Sequence, residues 1–204
     1  MGNTTYFITG IGTDVGKTVI SAILTQKLEA DYWKPVQSGD LDHSDTIKVK
    51  NLVRNQQTIF HPEAYRLNHP LSPHLSAKLD NVEIQLGQIC RPETTNNLII
   101  EGAGGLMVPL NDHTLILDLI KILHAPVILV SRNYLGSINH TLLTIETLAL
   151  HQIPVAGIIF SGEPNIETEN FILRHTGIRC LGKIPFITEL NPESIDEAGK
   201  LLTL

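Results

Sequence analysis

The chain has 204 residues, of which 42% are hydrophobic and 18% charged. These are values of a globular domain with a sizeable core, and they exclude a disordered chain. A formal net charge of −6 argues against nucleic acid as a main partner, since a phosphate backbone is bound by clustered Lys and Arg, and no apolar run approaches the length of a membrane span.

The opening residues, Met1-Gly2-Asn3-Thr4-Thr5, lack the basic-then-apolar order of a secretory leader, so a cytoplasmic protein is expected. Met1-Gly2 could open a myristoylation signal, but Tyr6 stands where that signal wants Ser or Thr. A short apolar strand is predicted over residues 6–9. It runs into Gly10-Ile11-Gly12-Thr13-Asp14-Val15-Gly16-Lys17-Thr18, and a helix is predicted over 17–29. A strand, a glycine-rich turn ending in Gly-Lys-Thr and a helix make up the phosphate-cradling P-loop. Glycines turn successive N–H groups toward one point, and the helix N-terminus adds partial positive charge. Lys17 can reach the β- and γ-phosphates of ATP, and the Thr18 hydroxyl can ligate the accompanying Mg²⁺. Five residues separate Gly10 from Gly16 and three separate Gly12 from Gly16, so either glycine opens a variant loop.

A second strand predicted over 32–34 leads into Lys34-Pro35-Val36-Gln37-Ser38-Gly39. Lys34 reads two ways: as a compact charge for an anionic substrate, or as a solvated lysine before a proline. Ser44-Asp45-Thr46 opens a helix predicted over 45–53. Ser44 suits an N-cap, with Asp45 favouring the positive helix end. Asp45 equally suits Mg²⁺, and Asp42 competes with it. The proline-rich stretch 61–73 reads as an excursion over the sheet, with a weak strand at 63–65 and a helix predicted at 82–90.

Residues 97–101 form an apolar strand that ends in Glu101 and the turn Gly102-Ala103-Gly104-Gly105. An unpaired carboxylate there is costly to bury, and a divalent cation removes that cost. Glu101 is therefore the candidate acid beside Mg²⁺, the alternative being a side chain that caps the turn at Gly102. Further strands are predicted at 126–131, 155–160 and 179–183, and helices at 112–123, 137–151, 166–175 and 192–202. Apolar strand runs without alternation mean burial on both faces. The fold expected is α/β: one domain over residues 1–204, a doubly wound and mostly parallel sheet of P-loop NTPase type, with ligands outside the carboxyl ends of its strands. Leu135-Gly136-Ser137-Ile138-Asn139-His140 starts a long helix just past a strand. Its free N–H groups suit a carboxylate or phosphate, and Ser137 equally suits a plain N-cap. Cys90 and Cys180 lack metal-ligand spacing and read as buried free thiols of a reducing cytosol.

In combination these motifs resemble the dethiobiotin synthetases. The likeness rests on the variant P-loop with its Gly12-Thr13-Asp14, on Lys34-Pro35-Val36-x-Ser38-Gly39 and Ser44-Asp45, and on Leu71-Ser72-Pro73-His74. Glu101-Gly102-Ala103-Gly104-Gly105, Leu135-Gly136-x-Ile138-Asn139-His140 and Gly182-Lys183-Ile184-Pro185 follow in the family's order. The Lys-Pro-Val and Leu-Gly-x-Ile-Asn-His elements are far more specific than the P-loop.

The resemblance implies an ATP-dependent ring closure on 7,8-diaminononanoate. One amine takes up CO₂ as a carbamate, the γ-phosphate of ATP activates it, and the neighbouring amine closes a cyclic urea with release of ADP and phosphate. It implies Lys17, Lys34, Thr13 and Ser38 around the reacting groups, and Mg²⁺ held by Thr18, Asp45 and Glu101. Nucleotide contacts would come from Gly12, Asp14, Val15, Gly16 and Val19, and from Gly102, Ala103 and Gly104. The substrate carboxylate would lie near Gly136, Ser137, Ile138 and Asn139 of the second subunit of a homodimer. Where the family usually reads adenine with Asn, this chain has Ser161, whose hydroxyl lacks the paired donor and acceptor of an amide. Adenine recognition is then weaker, water-mediated or shared with the backbone near Pro185, Phe186 and Ile187. Rival readings fit less well. An amidoligase with a glutaminase domain needs a cysteine in a glycine-rich elbow, a chromosome-partitioning ATPase needs a second lysine inside the loop, and a small-molecule kinase usually has a lid with several arginines.

Overall fold

Strands that lack polar alternation need cover on both faces, and the computed structural model, which describes residues 3–204, provides it. In chain order the elements are β1 (Thr5–Gly10), α1 (Lys17–Lys27), β2 (Asp31–Trp33), β3 (Val36–Ser38), α2 (Asp45–Leu52), β4 (Phe60–His61), β5 (Tyr65–Leu67) and α3 (Pro73–Leu79). There follow β6 (Leu98–Glu101), α4 (Ile116–Leu123), β7 (Val127–Arg132), α5 (Ser137–Leu150), β8 (Val155–Ser161), α6 (Ile166–Thr176), β9 (Cys180–Ile184) and α7 (Pro192–Gly199). The main sheet runs β4-β2-β6-β1-β7-β8-β9, and each of its pairings is parallel.

Alternate side chains of the central strands feed two cores. Phe7, Ile100, Leu129 and Phe160 pack on one face with Leu119 and Ile120 of α4 and Ile145 and Leu148 of α5. Ile8, Ile99, Ile128 and Ile159 pack on the other with Ile20, Ile23 and Leu24 of α1 and Ile195 of α7. Because the strands are parallel, β1, β2 and β6 all deliver their carboxyl ends to one edge, where the P-loop, Lys34 and Glu101 stand side by side. No helix among the described residues is long and apolar enough to cross a membrane.

The excursion differs most from the sequence reading. The helix expected at 82–90 is absent, and a single 3-10 turn (Leu86–Gln88) stands there. Ile84 and Ile89 plug the core from irregular chain, which gave a helix-like apolar pattern without a helix. The helix lies earlier, at α3, where Pro73 occupies the first turn with its φ already suited to it. The weak strand at 63–65 overlaps β5 only at Tyr65, and β4 ends before it at His61. β3 and β5 form a second, two-stranded parallel sheet, pairing Val36 with Tyr65 and Ser38 with Leu67. The helix expected from 112 begins at Ile116, because Pro109 bridges Leu115 and the Asn111 side chain accepts from the amides of His113 and Thr114. The cysteines are free, but Cys90 is exposed and Cys180 half-buried, so the expectation of two buried thiols is corrected: Cys90 lies in irregular surface chain and Cys180 opens β9 at the sheet's edge. Met1 and Gly2, on which the myristoylation argument turned, lie outside the described residues.

Gly39 ties this excursion together. It has φ +69°, and a Cβ there would stand 2.4 Å from the Cα of Pro70. Its amide donates to the carbonyl of Leu67 at 2.7 Å. Gly39→Ala meets both backbone strain and a backbone clash, and is expected to cost more than about 1 kcal/mol. The urea midpoint should fall with the slope unchanged, and an unshifted midpoint would show that the excursion adapts freely.

Candidate active site

The phosphate loop is suspended as much as folded. Gly16 caps α1 at φ +96°, a conformation that favours glycine. Behind it, the Ser161 hydroxyl donates to the carbonyl of Val15 at 2.6 Å, and Arg132 Nη1 donates to the carbonyl of Asp14 at 3.0 Å. Ser161 and Arg132 are register partners on β8 and β7, so neighbouring strands grip consecutive carbonyls of the loop. Lys17 Nζ donates to the carbonyl of Gly12 at 2.9 Å. Burial, then the like charge of Lys34, lowers the Lys17 pKa to about 8.

Glu101 is 1% exposed at the end of β6, and donors reach both its oxygens. Oε1 accepts from Thr18 Oγ1 at 2.9 Å and from Lys34 Nζ at 3.2 Å, and Oε2 accepts from the Tyr32 hydroxyl at 2.9 Å. Lys34 Nζ also donates to the Gly102 carbonyl at 3.1 Å and pairs with Asp45 Oδ2 at 2.6 Å. Burial works against the Lys34 charge, but Glu101 and Asp45 outweigh it and hold its pKa above the usual lysine range. Burial would likewise raise Asp45, and Lys34 holds it low instead. The Tyr32 hydroxyl is pushed well up by burial and by Glu101, so it stays a donor. Asp45 and Glu101 thus meet at one ammonium, with the Thr18 hydroxyl on Glu101, an all-oxygen set of the kind that suits Mg²⁺.

Several alternatives left open by the sequence are decided by placement. Lys34 is 4% exposed, not solvated. Asp45 is at the cluster, whereas Asp42 is exposed in a 3-10 turn. Glu101 spends its oxygens on Thr18, Lys34 and Tyr32, not on the turn after it. Ser44 does cap α2, accepting from the amide of Ile47. Ser137 is not a cap: Gly136 holds that position at φ +104°.

A cavity of about 770 Å³ opens over the loop. Thr13, Asp14, Gly16, Lys17, Thr18 and Val19 line it from the loop and α1, Lys34, Ser38 and Asp45 from the second wall, and Glu101, Ala103 and Gly104 from the third. The Ser38 Oγ is buried with no hydrogen-bond partner among the described residues. Gly12 and Gly102 contribute the carbonyls that hold Lys17 and Lys34. Val15, Ser161, Pro185, Phe186 and Ile187 are brought together in an adjoining pocket of about 210 Å³. Gly136, Ser137 and Ile138 line a separate cavity of about 440 Å³, and exposed Asn139 follows them on α5, so the chain does not join these residues to its own phosphate loop.

Sequence reasoning missed Tyr32 and Gln37. A tyrosine in a buried strand does signal a hydroxyl in need of a partner. Gln37 gave no signal: it is 5% exposed, accepts from the Asp45 amide at 3.2 Å and donates to the Gly39 carbonyl at 3.0 Å, holding the start of α2 against the site.

A family model described as an AAA domain matches residues 4–194. ATP-dependent dethiobiotin synthetase BioD of Christiangramia forsetii is 54% identical over 188 residues, covering 91% of this chain and 90% of its own length. The synthetase of Cytophaga hutchinsonii is 54% identical over 177 residues, 86% and 85% of the two chains. That of Brucella ovis is 48% identical over 193 residues, 95% and 91%. The chain belongs to the dethiobiotin synthetase family. Its fold is also that of partition-type ATPases. A ParA family ATPase from Chlorobium tepidum TLS superposes with a TM-score of 0.57 at 11% identity over 98% of both chains. A putative plasmid partition protein of Borrelia burgdorferi B31, solved bound to AMPPNP, gives 0.57 at 12% identity over 97% and 98%. These neighbours share the architecture, and the synthetase family supplies the motifs.

Removing the ammonium between Glu101 and Asp45 leaves two carboxylates unpaired in a largely buried site. Lys34→Met is expected to cost roughly 3 kcal/mol, and added Mg²⁺ should raise the melting temperature of the variant more than that of the parent. A variant as stable as the parent, and indifferent to Mg²⁺, would refute this account of the cluster.

Proposed function

We propose that the chain makes dethiobiotin from 7,8-diaminononanoate, CO₂ and ATP. One observation carries the reading: Lys34, buried and held charged, lines the same cavity as the P-loop lysine, within the family's specific motif. An amine nitrogen of the substrate adds to CO₂ and loses a proton, giving a carbamate. A carbamate oxygen then takes the γ-phosphoryl group and ADP leaves. The neighbouring amine attacks the activated carbon, closes the urea ring and expels phosphate.

The obstacle is charge, since an anionic carbamate must meet an anionic triphosphate. Lys17 and Lys34 bring ammonium groups to that meeting, where low dielectric strengthens them. The unpartnered Ser38 hydroxyl, with Thr13, supplies hydrogen bonds at the carbamate end. Thr18, Asp45 and Glu101 would hold Mg²⁺, which when bound neutralises phosphate charge. Holding both amines of one molecule in place converts the ring closure into an intramolecular step.

The reading includes a homodimer working in the cytoplasm. Leu135 at the entry to α5, and Leu143 and Leu150 along it, are 104%, 58% and 79% exposed, and Met107, which lines a pocket with Leu143, is 63% exposed. Such a surface favours a second subunit, whose Gly136–Asn139 segment would then take the substrate carboxylate at this chain's cavity.

Phosphate release by the purified protein should require diamine, bicarbonate, Mg²⁺ and ATP together. Release that ignores the diamine counts against the synthetase. Lys34→Met should abolish turnover while nucleotide still binds, and equal loss of both would place Lys34 on the nucleotide. For the shared site, an inactive variant at Asn139 mixed with Lys34→Met should recover about a quarter of parental activity after subunit exchange. No recovery would place both residues in one subunit's site.

A further inference from the structure

The pocket beside the P-loop contains a side chain whose hold on the loop uses only part of its hydrogen-bonding capacity. Arg132 ends β7 and lines the 210 Å³ pocket with Ser161, Pro185, Phe186 and Ile187, its guanidinium anchored on the carbonyl of Asp14, another lining residue. One N–H group holds the Asp14 carbonyl, and its other N–H groups have no hydrogen-bond partner among the described residues. Ser161 cannot play a comparable part, because its hydroxyl proton is directed to the carbonyl of Val15. Asp14, which also lines the pocket, carries a carboxylate that only accepts. Arg132 is therefore the one side chain lining this pocket, among the described residues, with uncommitted hydrogen-bond donors.

An apolar slot with an arginine in its lining suits a flat aromatic base. The cation can lie over the ring or donate to its edge, and Pro185, Phe186 and Ile187 give the apolar wall. We propose that Arg132 reads the base of the nucleotide, and that this makes the protein accept guanine as well as adenine. The inference rests on the ATP-dependent reading proposed above, with the base in this adjoining pocket, where the family resemblance implies it. A guanidinium only donates. Guanine presents two adjacent acceptors, O6 and N7, which an arginine fork can take together, whereas adenine presents N7 beside an amino donor. Selection against guanine would need an acceptor where Arg132 brings a donor. The grip on Asp14 also fixes the guanidinium relative to the phosphate loop, so base and phosphates are read from one frame.

Calorimetric titration of the whole protein with Mg²⁺ and the β,γ-imido analogues of ATP and GTP tests this, with inorganic tripolyphosphate as a probe that has no base. The parent should bind the two analogues within about tenfold of one another. Arg132→Ala should weaken the GTP analogue by about tenfold and the ATP analogue by less, a size in keeping with one guanidinium–base contact. Arg132→Ala also frees the Asp14 carbonyl, so tripolyphosphate reports any loosening of the loop: its affinity should fall less than that of the GTP analogue, and its binding also shows that the variant is folded. Unchanged nucleotide affinities, equal losses for the two analogues, or a parent that discriminates more than about a hundredfold between them would each overturn the proposal. A matching loss for tripolyphosphate would overturn it too, placing Arg132's effect on the loop instead of the base. Should the parent bind none of the three ligands, the nucleotide site itself is refuted, an outcome distinct from the others.

Discussion

The structure turns on a carboxylate buried at the end of an apolar strand. Glu101 cannot remain charged there alone, and Thr18 converges on it from α1, and Tyr32 and Lys34 from β2 and its exit. Each donor fixes something beyond the charge. Thr18 fixes the first turn of α1 against β6, Tyr32 fixes β2 beside β6, and Lys34 draws in Asp45 and with it the start of α2. The electrostatic need of one side chain thus assembles the walls of the cavity. The same groups that line the candidate site make the fold self-consistent.

Around this cluster the phosphate loop is held from outside. Its carbonyls at Asp14 and Val15 are gripped by Arg132 and Ser161, and Lys17 returns to the carbonyl of Gly12. Donor positions that face phosphate are set before any ligand arrives, which lowers the ordering cost of binding. The wall opposite is the excursion, where the β3–β5 pairing and the close approach of Gly39 to Pro70 bring Ser38 and Leu71 to the rim.

Much of this was legible in the sequence, for physical reasons. Glycines before Gly-Lys-Thr have few uses other than a tight anion-binding turn, and an acid closing Leu98-Ile99-Ile100 demands compensation wherever it lies. The doubly wound sheet followed from unbroken apolar runs. What escaped depends on contacts between distant segments. Gln37 acts on Asp45 through a turn that local spacing does not reveal, and Arg132 matters because β7 and β8 happen to place it beside Ser161. The misplaced helix at 82–90 has the same origin: Ile84 and Ile89 are buried by their neighbours in space, whereas the real helix starts at Pro73, the last residue of the proline-rich stretch, and runs through residues to which the sequence reading gave no element.

The wholly parallel order of the main sheet has a kinetic side. Its central strand finds neither neighbour by a simple turn: Thr5 pairs with Leu98, and Phe7 with Val127. A loop of nearly half the chain must close before the first of these pairings gains anything, so assembly is dominated by long-range search and belongs to the slower class of folders. During synthesis the N-terminal strand emerges long before its partners and waits unpaired, an apolar ribbon whose protection depends on how quickly α1 can fold down over one side of it.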